Sequence, residues 1–281
     1  MPGHPLEPLL TDDVLGAVEG ARSACETLRW HRALRRQWGV ARVEAGVRSA
    51  WAGGAVDGWR LPLDLVRDVA RGASLPPAGP DGAALAGALR VQGAVEQRMS
   101  APGAPGADRT PAGQLLAHLH AAVVGDAEAG RLRVDAPAQD LRGLGLAPAG
   151  DELAARVSGL AVLVAERLPA HVPALVLVAV VHGELLALRP FARGNGAVAR
   201  AFARHLLTAR GVDPVGVVVP EVRWAAEPTV YLSAAARYAT GTPQGVAHWL
   251  RYYAESVVTG AAEGTAVADA VLAGRLGSVE G

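Results

Sequence analysis

The chain of 281 residues contains no lysine, no isoleucine and a single asparagine, Asn195. All three residue types use A/T-rich codons, so the gene reads as strongly G/C-biased. Phenylalanine is also scarce, with two copies, one of them Phe191. Cysteine occurs once, as Cys25, which excludes an internal disulfide and fits a reducing compartment. Net charge is formally zero and the pI is near 7.1, without the basic excess of a nucleic-acid protein. The stretch Met1–Pro8 lacks a charged start followed by an apolar run, so no secretory signal is expected. The most apolar stretch, Val172 to Leu188, is short for a bilayer span and is broken by Pro173, His182 and Glu184. It is expected to be a buried core helix. These absences predict a soluble, cytoplasmic protein with neither a membrane nor a nucleic-acid partner.

What is abundant points to helices. Ala, Leu, Arg and Glu are good helix formers. Helix-like segments fall near 13–28, 33–51, 61–71, 83–99, 112–124, 152–167, 172–188, 196–210, 229–238 and 244–258, with a tail helix to about Leu276. Leu75-Pro76-Pro77-Ala78-Gly79-Pro80 and Ala101-Pro102-Gly103-Ala104-Pro105-Gly106 read as loops. Val217–Val219, β-branched and bounded by Gly216 and Pro220, reads as a strand or as extended chain. Gly143-Leu144-Gly145 is not a dinucleotide fingerprint, because Pro148 takes the third glycine position and no alternating βα pattern surrounds it.

The lone asparagine sits in Leu188-Arg189-Pro190-Phe191-Ala192-Arg193-Gly194-Asn195-Gly196-Ala197-Val198-Ala199-Arg200. Pro190 bars a helix from running through. Gly194 and Gly196 permit turns that put successive N–H groups on one concave side. An apolar helical spacing follows in Val198, Phe202 and Leu206. The first N–H groups of such a helix are unpartnered and partly positive, which suits a phosphate. Arg200, about one turn in, is placed to face the same anion. The alternative is a glycine-rich turn with Asn195 as an ordinary helix cap.

This segment resembles the signature loop of the Fic/Doc family, His-Pro-Phe-x-(Asp/Glu)-Gly-Asn-Gly-Arg-x-x-Arg. Pro190, Phe191, Gly194, Asn195, Gly196 and Arg200 fall on family positions without gaps. The apolar run before the loop agrees, as do Tyr231 and the stretch Gly241 to Tyr253, so the resemblance spans roughly Leu115 to Val258. It implies an all-α, Fic-like helical fold at 111–281, behind an N-terminal helical extension at 1–110. In the family the loop His takes a proton from a target hydroxyl, which attacks a nucleotide α-phosphate, while an acidic residue holds magnesium.

Here the departures weigh most. Arg189 stands at the catalytic His, Arg193 at the acidic metal ligand and Ala197 at the first Arg. A general base must shed its proton near the working pH, and arginine does not. Nor does a guanidinium bind a hard cation, which requires oxygen ligands. The expected phosphate-binding set is therefore Arg189, Arg193, Gly194, Asn195, Gly196 and Arg200, without magnesium. The expected ligand is ATP, another nucleotide or another phosphate.

Two further regions follow the resemblance. At 130–150 the family carries a β-hairpin flap that grips an extended partner segment; here this is a place for a small hairpin and for a protein partner. Gly53-Gly54-Ala55-Val56-Asp57-Gly58 lines up with the family's inhibitory motif, (Ser/Thr)-x-x-x-Glu-(Gly/Asn). Asp57 would then be the inhibitory carboxylate on the last loop arginine, although Asp57-Gly58 also reads as a plain turn. His182 is a low-ranking substitute base and reads more simply as a core histidine. His118 and His120 face different sides of a helix and are not a metal pair. Trp30, Trp38, Trp51 and Trp59 read as core and interdomain contacts. Arg32, Arg35 and Arg36 with Glu44 and Arg48 read as a solvated face.

The expectation is a degenerate, catalytically impaired Fic-like protein that binds a nucleotide, another phosphate ligand or a protein partner. One alternative is an active nucleotidyl (AMP) transferase with a displaced base. The other is a structural or partner-binding module with an empty or Asp57-filled cradle.

Overall fold

Proline and glycine set the ends of the helices. Pro80, Pro228 and Pro243 open three of them, where the missing N–H costs nothing, and Gly58 and Gly125 close two others in the left-handed conformation. A computed structural model of the protein describes residues 3–104 and 110–276, so Met1, Pro2, Pro105 and Gly106 of the segments above lie outside the described residues. Among the described residues the chain forms eleven α-helices and no strand: α1 Asp12–Arg29, α2 Leu34–Asp57, α3 Leu63–Ala70, α4 Pro80–Glu96, α5 Ala112–Val124, α6 Gly150–Ala165, α7 Ala174–Leu188, α8 Asn195–Ala209, α9 Glu221–Ala226, α10 Pro228–Ala239 and α11 Pro243–Leu272. None is long and apolar enough to cross a membrane.

Helix α7 is apolar all round and buried along nearly its whole length, as a central helix must be. Helices α6, α8, α10 and α11 surround it. The 30-residue α11 packs against α1 as well as α7 and α10, while α2 packs on α4, α9 and α11. One continuous core runs from Leu6 in the first turn to Val271 near the last.

Several expectations are corrected. The predicted tail helix is the second half of α11, and α9 lies in a stretch to which the sequence reading assigned no helix. Helix α2 does not stop at Trp51 but continues through Gly53-Gly54 to Asp57. The reason is close approach: a Cβ at Gly54 would lie 2.3 Å from the Trp59 ring, and one at Gly53 would lie 3.0 Å from Arg200 Nε. Of the two readings left open for Val217–Val219, the strand does not form: the stretch is buried chain without strand pairing, its Val219 N–H donating to the Gly260 carbonyl of α11. No hairpin forms at 130–150, which is irregular apart from a 3₁₀ turn at Arg142–Leu144. Trp30 is exposed and donates to Glu26, whereas Trp59 is buried. Glu44 is not solvated: it is buried and bridges Arg48 and Arg67.

Candidate functional site

The site is built where α7 ends and α8 begins. Arg189 leaves α7 in the left-handed conformation (φ 43°), and Gly194 enters α8 in the same region (φ 78°) as its N-cap. Glycine adopts this freely; arginine does so only against a steric penalty. Asn195, the first residue of α8, clamps the turn between them. Its Oδ1 accepts from Phe191 N at 2.8 Å, and its Nδ2 donates to Phe191 O at 2.8 Å.

Helix α5 supplies the floor. The His120 ring stacks on Phe191, with centroids 3.9 Å apart and planes 6° from parallel. His120 Nδ1 accepts from Gly130 N, so its Nε2 is the protonated nitrogen and donates to Arg193 O at 3.1 Å. Burial lowers the His120 pKa, which keeps this neutral tautomer.

The arginines of the loop diverge. Arg200, on α8, is 4% exposed and its Nη2 donates to Asp57 Oδ2 at 2.5 Å. Its Nη1 makes no well-formed hydrogen bond, although the Tyr231 hydroxyl lies close enough to the guanidinium to interact with it as a hydrogen-bond partner as well as through charge. That Nη1 lies 3.1 Å from where a Gly196 Cβ would be, with Asp57 Oδ1 at 3.0 Å from the same point, so a larger residue there would press on the Asp57–Arg200 pair. Burial opposes the Arg200 charge, but Asp57 and Tyr231 outweigh it and hold the guanidinium protonated. Burial also raises the Asp57 carboxyl above its usual value, against the pull of Arg200. Arg189 is buried, and its guanidinium donates to Leu141 O at 3.0 Å and Gly145 O at 2.7 Å. Arg193 is exposed and pairs with Asp126. The structure thus brings Gly194, Asn195, Gly196, Arg200 and Asp57 together, while Arg189 and Arg193 are engaged elsewhere.

His182 is sealed in a cage of Trp224, Tyr231, Trp249 and Tyr253, with its Nε2 hydrogen-bonded to the Tyr231 hydroxyl at 2.9 Å. Burial, helped by the Arg200 charge, pushes its pKa down to about 3. A base so weak and so enclosed is a core histidine.

Two anchoring residues escape a reading of the sequence. Asp140 accepts from the backbone N of Asn195 and from its Nδ2, both at 2.7 Å, and so caps α8. Arg133 donates to the carbonyls of Leu188, Arg189, Ala136 and Pro148, tying the irregular segment to the loop. Between α2, α4 and α8, beside Asp57 and Arg200, the remaining cavity is about 10 Å³, room for roughly one water.

Solved structures match this fold over most of the chain. A Fic family protein from Desulfovibrio desulfuricans G20 superposes with a TM-score of 0.72 at 18% identity, over 92% of this chain and 75% of that one. The chain has a Fic-like fold. The same fold recurs in a Fic domain containing signaling protein from Bacteroides thetaiotaomicron (TM-score 0.68, 13% identity, 90% and 98% covered). It recurs again in Fic-1 from C. elegans (TM-score 0.66, 16% identity, 92% and 74% covered). No protein-family model and no curated protein matches the chain. At such identities the likeness concerns the Fic-like fold, and the chemistry rests on the residues described above.

Proposed function

We propose that this Fic-like protein is a non-transferring binding module, which takes a phosphate-bearing ligand at the N-terminus of α8. The observation that carries this is Arg200 Nη1: a buried, charged N–H without a well-formed hydrogen bond, close to Gly196 in the first turn of α8. A buried donor left unsatisfied is costly, and an anion at a helix N-terminus would satisfy it. The magnesium used by Fic enzymes does not fit, because position 193 carries a guanidinium already paired with Asp126. The transferase alternative lacks a base: Arg189 does not deprotonate, His182 is enclosed, and both Asp140 oxygens accept Asn195 hydrogens.

Calorimetry with pyrophosphate, with and without EDTA, tests the reading. Binding is expected to be unchanged by the chelator, and Arg200→Ala is expected to weaken it by about 1.5–3 kcal/mol, the range for a hydrogen bond to a charged group. Affinity that rises strongly with Mg²⁺ would count against a metal-independent site.

Asp57 competes with the ligand for the same arginine. Asp57→Ala is expected to tighten pyrophosphate binding while lowering the stability of the free protein by ~1–3 kcal/mol, because Arg200 loses its counter-ion. A residue that merely shaped a turn would lower stability and leave affinity alone. Denaturant melts and calorimetry on the one variant separate the two.

A second reading is a self-filled cradle that takes no phosphate and acts through a protein partner. The 10 Å³ cavity favours it, being too small for a phosphate while Asp57 stays in place. It predicts no heat with pyrophosphate in the wild type or in Asp57→Ala.

A further inference from the structure

The N-terminus of α8 already has an anion on it, and that anion is not Asp57. Asp140 takes both the backbone N–H and the side-chain N–H of Asn195, the residue that opens the helix. It sits where the helix dipole and the first-turn donors favour negative charge. The segment that carries it is strapped across the loop by backbone pairs: Arg133 N donates to Pro190 O, and Gln139 N to Ala192 O. Arg189 completes the strap through the carbonyls of Leu141 and Gly145.

The strap is poised rather than locked. Leu141 (φ 54°) and Arg189 (φ 43°) are the only non-glycine residues with positive φ among the described residues, and one hydrogen bond joins them. Both sides of this contact therefore hold an unfavourable backbone, a state that persists only while the surroundings enforce it. Within residues 139–145 Leu144 is the one buried apolar anchor, with Leu141 partly buried beside the core, while the flanking Leu132, Val134 and Leu146 are exposed. On the same helix as Asn195, Arg200 Nη1 lies buried beside Gly196 without a well-formed hydrogen bond.

We propose that residues 139–145 form a gate over the α8 N-terminus, with Asp140 as a resident stand-in for the phosphate that must displace it. This rests on the phosphate-binding reading above and adds that binding and gate closure exclude each other. Two groups competing for the same donors are coupled, and the coupling is reciprocal. Asp140 accordingly sets the affinity without touching the ligand.

Pyrophosphate titrations without metal test this on the full chain, with Arg200→Ala as the control for the site. Asp140→Ala is expected to bind at least ~5-fold more tightly than wild type, the low end of ordinary couplings. Asp140→Asn, which keeps an acceptor but loses the charge, should fall between the two. A second measurement needs no variant: saturating pyrophosphate should speed hydrogen exchange at the Gln139 amide, whose bond to Ala192 belongs to the closed gate. If wild type binds and Asp140→Ala binds no more tightly, the gate is wrong and the phosphate site stands. If Asp140→Ala fails to fold, unchanged or slower Gln139 exchange in liganded wild type overturns the gate. If no folded variant binds pyrophosphate, the phosphate site itself is wrong and the gate falls with it.

Discussion

Incubated with α-labelled ATP and Mg²⁺, the protein is expected to leave no label on itself or on a mixed protein substrate. Asp57→Ala is expected to stay equally silent. In a Fic enzyme restrained only by an inhibitory carboxylate, removing it would release activity. On the proposed reading the fault here lies in the chemistry. Loss of a general base alone costs about 10²–10⁴ in rate. Arg189 also turns its guanidinium onto Leu141 and Gly145, so the position of the base is closed as well as inert. Arg193 pairs with Asp126 where a metal ligand would be needed, and that deficit adds to the first. Label transfer that Asn195→Ala abolishes would sink this reading.

The second large effect is in acid. His182 is expected to make the fold lose stability as the pH falls below about 6.5. The folded-state pKa is about 3 against an ordinary 6.5, so the unfolded chain binds the proton more readily than the folded one. Stability is then whole above the unfolded value and drains away as the pH drops towards the folded value. The limiting slope is about 1.4 kcal/mol per pH unit, and the full loss is of the order of 4–5 kcal/mol. His120, whose pKa burial also lowers, pushes the same way. Buried Asp213 and Glu221, with carboxyls raised by burial, push the other way, so the total curve mixes signs. The clean quantity is the difference between wild type and His182→Gln, which keeps an acceptor for the Tyr231 hydroxyl. Urea unfolding of both from about pH 8 to about pH 4 should diverge, with the variant flatter. Parallel curves would mean that His182 is not held neutral.

The sequence showed the helices and the loop because both are local. Helix α5 falls at the expected Ala112–Val124, where proline before and glycine after set the ends. The Pro190-to-Gly196 turn was legible because proline and glycine act on their own backbone. The extension of α2 was not, because Gly53 and Gly54 weaken a helix by propensity and gain their reason from Trp59 and Arg200. The directions of the arginines were hidden too. Arg189 and Arg193 flank the cradle in sequence, yet a left-handed Arg189 swings its side chain to a different carbonyl pair. Asp140 lies 55 residues from Asn195, and nothing local to either announces that they meet. The contact of Asp57 with Arg200 spans 143 residues and came into view only through resemblance to a motif.

Where a protein with strands would fasten its irregular segments by backbone ladders, this one uses guanidinium groups. Arg42 donates to the carbonyls of Val215, Pro214, Met99 and Ser100, Arg133 to those of four residues, and Arg189 to two more. Each is a hub, so cutting one side chain frees several segments at once and the damage spreads sideways along the chain. A lysine has three donors and no flat fork to spread over separate carbonyls, and its proton is more easily lost on burial. The hubs keep their charge across the working pH range, so the fastening of the loops carries no titration of its own. Within that range the joints therefore do not loosen, and acid acts on the two buried imidazoles, His182 in its cage and His120 on the loop, instead.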